Sequence, residues 1–195
     1  MNESEQIALD FVDYKSLCIG ENCREEIGRR PWRVEIDGRE WSFASDGWIA
    51  LFVEVRANDD HPPEEVLKKI TNSYGTPGEK ICDTHTSMLK RWAGQYLPPI
   101  YANCENCECE FDVEPDERIG LIGDIYVNKN RLAKVLQLLP YSFVEAYRTT
   151  HLVRRYTGSS EESQSLLVRS PHWMFVLCNM HFPNGCDEEF DVFDS

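Results

Sequence analysis

Residues 32–56, WRVEIDGREWSFASDGWIALFVEVR, read as three antiparallel strands. Trp32, Val34 and Ile36 alternate with Arg33 and Glu35, the period of a strand with one buried face. Asp37-Gly38 is a two-residue hairpin signal, because both positions tolerate positive φ. Arg39 to Ala44 returns with Trp41 and Phe43 on one side. Ser45-Asp46-Gly47 turns the chain again, and Trp48 to Val55 is apolar enough to run through the middle of a sheet. These aromatic residues read as core, and Asp46 reads as a turn-forming side chain rather than an acid or base.

Composition bounds the rest. The chain has 195 residues, 42% hydrophobic and 28% charged, the profile of a soluble globular domain. No run of about 18 apolar residues is present, so no membrane span is expected. The acidic opening MNESEQIALD lacks an apolar leader and points to the cytoplasm. In a reducing compartment the eight cysteines read as metal ligands and buried small hydrophobes rather than disulfides. A net charge of −14 disfavours wholesale nucleic-acid binding but permits a local basic strip.

Downstream of the strands, Pro63-Glu64-Glu65 starts a short helix through Val66, Leu67 and Ile70 that ends before Gly75. Cys82-Asp-Thr-His85 and Cys104-Glu-Asn-Cys107, with the extra thiol Cys109, then give C-x2-H and C-x2-C at ribbon spacing. A two-residue gap in a tight turn aims two ligands at one ion. Cys82, His85, Cys104, Cys107 and Cys109 are therefore candidate ligands of a structural, closed Zn2+ site. Either His85 or Cys109 completes the set. Residues 57–118 read as an inserted, zinc-ribbon-like segment, poor in aliphatic side chains and ordered by its metal. The pair Cys18 and Cys23, and the group Cys178, His181 and Cys186, lack a second clean knuckle and read as thiols and surface histidines.

On either side of that segment the elements repeat. Ile7, Phe11, Tyr14 and Cys18 mark one face of a helix over 3–18, whose other face is acidic. After Arg118, IGLIGDIYV reads as a strand, and Asn128 caps a helix over Lys129–Leu139 that Pro140 stops. Strands follow at 142–148, 151–156, 166–169 and 173–178. Residues 1–56 and 119–182 thus form two β/α halves of an α+β domain, two helices packed on an antiparallel sheet, with an acidic tail at 183–195.

SFASDGWIALFVEV, IYVNKNRLAKVLQLLP and LLVRSPHWMFVLCNM resemble, in that order, segments of the bacterial and phage DNA sliding clamps, the β subunit family of the replicative polymerase. The likeness covers roughly residues 3–56 and 119–181. It implies a clamp-like domain, non-enzymatic, that assists DNA replication or repair as a processivity or docking element. The implied partners are double-stranded DNA, replication proteins and further copies of the chain. In a clamp the paired helices face phosphate, which makes Lys129, Arg131 and Lys134, with Arg29 and Arg30, the candidate DNA contacts. The helix over 3–18 fails that charge test and Lys129–Leu139 passes it. Glu189-Phe190-Asp191-Val192-Phe193 is similar to the peptides that dock on clamps, with Phe190, Val192 and Phe193 as anchors. The alternative reading is a monomeric zinc-ribbon interaction module that does not bind DNA. A metal-dependent nucleic-acid enzyme ranks below both, since no nucleophile elbow, phosphate loop or HExxH run is present.

Overall fold

The computed structural model describes residues 12–54, 59–94, 100–103, 110–113, 119–154 and 160–178. The fold is mixed α+β, built on a large antiparallel sheet. Strands β1 (Trp32–Ile36), β2 (Arg39–Ser45) and β3 (Ile49–Glu54) form its first meander. Asp37 and Gly38 both have positive φ, 53° and 72°, as a two-residue hairpin that follows strand twist requires. β4 is Thr76–His85, β9 Phe143–Arg154, β10 Ser160–Arg169 and β11 Trp173–Cys178. Their order is β1-β2-β3-β11-β10-β9-β4, and every neighbouring pair is antiparallel.

Three α-helices are present among the described residues: α1 (Glu64–Tyr74), α2 (Thr86–Gly94) and α3 (Lys129–Leu138). They cover both faces of the sheet. α1 lays Val66, Ile70 and Tyr74 over Trp32, Trp41, Phe43, Phe52 and Met174. On the opposite face α2 brings Leu89 and Trp92, and α3 brings Leu132, Val135 and Leu136, onto Leu51, Val53, Val144, Leu166 and Phe175. Successive strand residues point to opposite faces, so Leu166 and Val168 join one core and Leu167 the other. A strand covered on both sides is apolar at every position, which explains the unbroken Ile49–Val53 run.

Several elements differ from the sequence reading. Within the helix expected over 3–18, residues 3–11 lie outside the described set, and Tyr14–Leu17 is one turn of 3-10 helix with Leu17 buried. IGLIGDIYV is a hairpin, β7 (Ile119–Ile122) and β8 (Ile125–Asn128), folded at Gly123-Asp124. The polar Thr149-Thr150 pair, read as a break, lies within one long β9. Thr149 is fully buried and its hydroxyl donates to the Tyr74 carbonyl at 2.9 Å, which removes the cost of burying it.

The largest difference concerns 57–118. Glu64–Gly94 contributes α1, the edge strand β4 and α2 to the main body, because its apolar residues are few but correctly spaced to pack on both faces. A separate pair, β5 (Ile100–Asn103) and β6 (Glu110–Val113), follows in that segment.

Candidate nucleic-acid interface

α2 and α3 lie against each other on one face of the sheet. α2 forms because Leu89, Trp92 and Ala93 fall at helical spacing and are buried together. α3 starts where the Asn128 side chain accepts the Arg131 amide at 3.0 Å, satisfying an otherwise orphaned donor. Neither helix contains an aspartate or glutamate. Together they carry Lys90, Arg91, Lys129, Arg131 and Lys134, in a chain with a net charge of −14. The helix pair is a local basic strip on an acidic body.

The five cations differ in reach. Lys129 is fully buried, and its ammonium sits 4.6 Å from the centre of the Trp92 ring. It belongs to the α2–α3 contact and drops out of the phosphate-facing set, since its side chain has no solvent surface to offer. Lys90 is half-buried; its Nζ donates to the Leu139 carbonyl at 3.1 Å and lies 4.2 Å from the Tyr141 ring centre. Burial holds its pKa below the ordinary lysine value. Arg91 and Lys134 are exposed, and Arg131 is half-buried. Lys134 pairs with Asp46 at 2.8 Å, with half of the lysine side chain in water. Only 14% of the Asp46 side chain is exposed, so the lysine neutralises a carboxylate that the fold has largely taken out of water.

Arg29 and Arg30 sit elsewhere, on the segment leading into β1. Arg29 Nε donates to the Cys23 carbonyl at 2.9 Å; Arg30 pairs with Asp60 at 2.8 Å and stacks over Trp32 at 4.3 Å. Arg29 is thus held within that segment, and Arg30 is held by Asp60 from a distant part of the chain and by Trp32.

Sequence reasoning missed three residues of this region. Lys90 and Arg91 were hidden in a stretch read through its cysteines, although TSMLKRWAG has helical spacing and no acid. Trp48 was assigned to the core. It is 49% exposed, whereas Trp32, Trp41, Trp92 and Trp173 are each 6% exposed or less. The signal was its place directly after Asp46-Gly47, on the turn rather than the strand. Asp46 Oδ1 accepts the amides of Trp48 and Ile49, both at 3.0 Å, and the Trp48 carbonyl accepts the Cys178 amide at 3.1 Å. Arg131 covers the ring at 3.9 Å from its centre. Leaving half an indole in water forgoes roughly 2–3 kcal/mol of burial.

The proposed metal ligands divide into two groups. Cys82 and His85 lie in β4, paired with Ala146 and Phe143, rather than in the tight turn that the spacing suggested. Three residues apart on a strand, they face opposite sides of the sheet. Cys82 packs on the α2–α3 side, where burial raises its thiol pKa. On the other face, His85 Nδ1 accepts the Ser87 amide at 3.2 Å, and its ring meets Tyr141 and Phe143. One ion cannot take both from this arrangement. Cys104, Cys107 and Cys109 lie outside the described residues. Among the described residues no cluster of three or more His, Cys, Asp or Glu is placed to hold a metal. Phe190, Val192 and Phe193 also lie outside the described residues.

Among the described residues no helix is long and apolar enough to cross a membrane. Comparison with protein-family models, with curated proteins and with solved structures finds no match.

Proposed function

We propose that this chain is a non-enzymatic, sliding-clamp-like accessory of DNA replication or repair that holds duplex DNA against α2 and α3. One observation carries the reading: the two helices that lie side by side contain no acidic residue and keep Arg91, Arg131 and Lys134 at least partly in solvent, against the charge of the whole. The tertiary arrangement adds support. The three clamp-resembling segments meet at one corner, through Asp46 with Lys134, Trp48 with Arg131, and the Trp48 carbonyl with the Cys178 amide.

The reading includes a structural Zn2+ held by Cys82, Cys104 and Cys107, with Cys109 in place of His85 as the fourth ligand because His85 faces the other side of its strand from Cys82. It also includes assembly into a ring of about six subunits and docking of the Phe190–Phe193 tail on a replication protein. Light scattering and fluorescence anisotropy with a duplex test it. The expected result is a multi-subunit particle whose duplex affinity falls with salt at a log–log slope of about −3 per protomer, from Arg91, Arg131 and Lys134. A monomer without duplex affinity at low salt overturns it. Metal analysis giving less than about half an equivalent of zinc removes the metal from it.

The second reading is the monomeric interaction module. It is favoured by the sheet edges: β4 carries Pro77, register shifts on either side of Lys80, and exposed charges, while the Arg33 amide in β1 is already bonded to the Asp60 carbonyl. Such edges discourage strand addition by a second copy.

A further inference from the structure

We infer that Trp48 and Arg131 form a stacking site for an unpaired nucleobase, at the margin of the basic helix pair. The inference rests on the nucleic-acid reading above and adds a ligand class to it, single-stranded DNA. The half-exposed indole stands on a polar turn and belongs to neither of the two hydrophobic cores of the described residues. It is also not loosely held. Its amide is bound by Asp46 Oδ1, its carbonyl by the Cys178 amide, and its ring by the Arg131 guanidinium. A fixed aromatic surface backed by a cation is what an extruded base stacks on, in any sequence, because every base presents a π-face. Lys134 lies one helical turn beyond Arg131, where it can meet the phosphate of the stacked nucleotide. Bases inside a duplex offer edges only, so this site selects frayed ends, gaps or single strands.

The other four tryptophans are buried, so tryptophan emission that responds to a solvent-side ligand reports on Trp48. The full-length protein is titrated at low salt with an oligo(dT) of about twelve nucleotides, and in parallel with a blunt duplex of equal length. Oligo(dT) is expected to quench the exposed part of the emission, with roughly tenfold weaker binding in W48L and in R131Q. The duplex is expected to bind with little quenching. Binding of oligo(dT) by anisotropy without quenching, or equal affinity in W48L, overturns the stacking site and leaves the duplex reading in place. Failure of both nucleic acids to bind overturns both. Urea denaturation of W48L and R131Q shows that any lost affinity is not lost folding.

Discussion

Lys129 and Lys134 stand on the same helix, carry the same charge and look alike in sequence, yet they do different work. Lys129 is buried against Trp92, and Gly120 is what makes room: a Cβ there would stand 2.4 Å from the Trp92 ring and 3.2 Å from the Lys129 side chain. K129A should therefore lower stability by about 2–4 kcal/mol in urea titration, through lost packing and a disrupted α2–α3 contact. K134A should cost about 1 kcal/mol, because it leaves the largely buried Asp46 Oδ2 without its partner, and should flatten the salt dependence of duplex binding by about one unit. Gly75 makes a second case at this scale. Its φ is +70°, and a Cβ would stand 2.5 Å from the Thr150 carbonyl oxygen, so G75A should cost about 2–3 kcal/mol.

At the scale of elements, the open margin of the sheet is closed by a side chain. Beyond Thr76, which pairs with Thr150, β9 continues without β4 beside it. Asn72 of α1 takes the place of a strand there: its Nδ2 donates to the Leu152 carbonyl at 2.8 Å and its Oδ1 accepts the Leu152 amide at 3.1 Å. N72A should cost about 1 kcal/mol. Hydrogen exchange should show faster exchange at the Leu152 amide, with core strand amides such as those of β3 unchanged. The same variant exposes an unpaired strand edge, and increased self-association at high concentration is the expected side effect.

At the scale of the whole molecule, two tyrosines, Tyr74 buried and Tyr14 partly buried, link stability to alkaline pH. Burial, with a carboxylate partner for each hydroxyl, pushes Tyr14 and Tyr74 up to about 12; Tyr14 donates to Asp59 and Tyr74 to Asp37. The unfolded chain releases these protons near pH 10. Between pH 10 and 12 the folded state therefore binds more protons than the unfolded one, and stability falls as pH rises. The contribution is fully present below pH 10. Denaturant midpoints measured across pH 8–12 should drop over that window, and less steeply in Y14F and Y74F. Tyr74 ties α1 to the β1–β2 turn through Asp37, and Tyr14 ties its 3-10 turn to Asp59, which Ser42 of β2 also holds.

By itself the sequence determined the first meander, the caps of α1 and α3, and the closing strand β11. In those stretches local signals agree with packing: Asp37-Gly38 can make only a few turns, and Asn128 satisfies a helix amide without help from distant residues. Trp48 stayed illegible because exposure depends on what the rest of the chain leaves uncovered. The same holds for Cys82 and His85, whose spacing suits a knuckle in a turn and opposite faces in a strand, and only pairing with β9 chooses between them. The tertiary structure also decided which helices lie together. Charge can be counted along a chain, but the pairing of α2 with α3 depends on burial of Leu89, Trp92, Leu132 and Val135 in a common core, a many-body packing effect that no local pattern encodes.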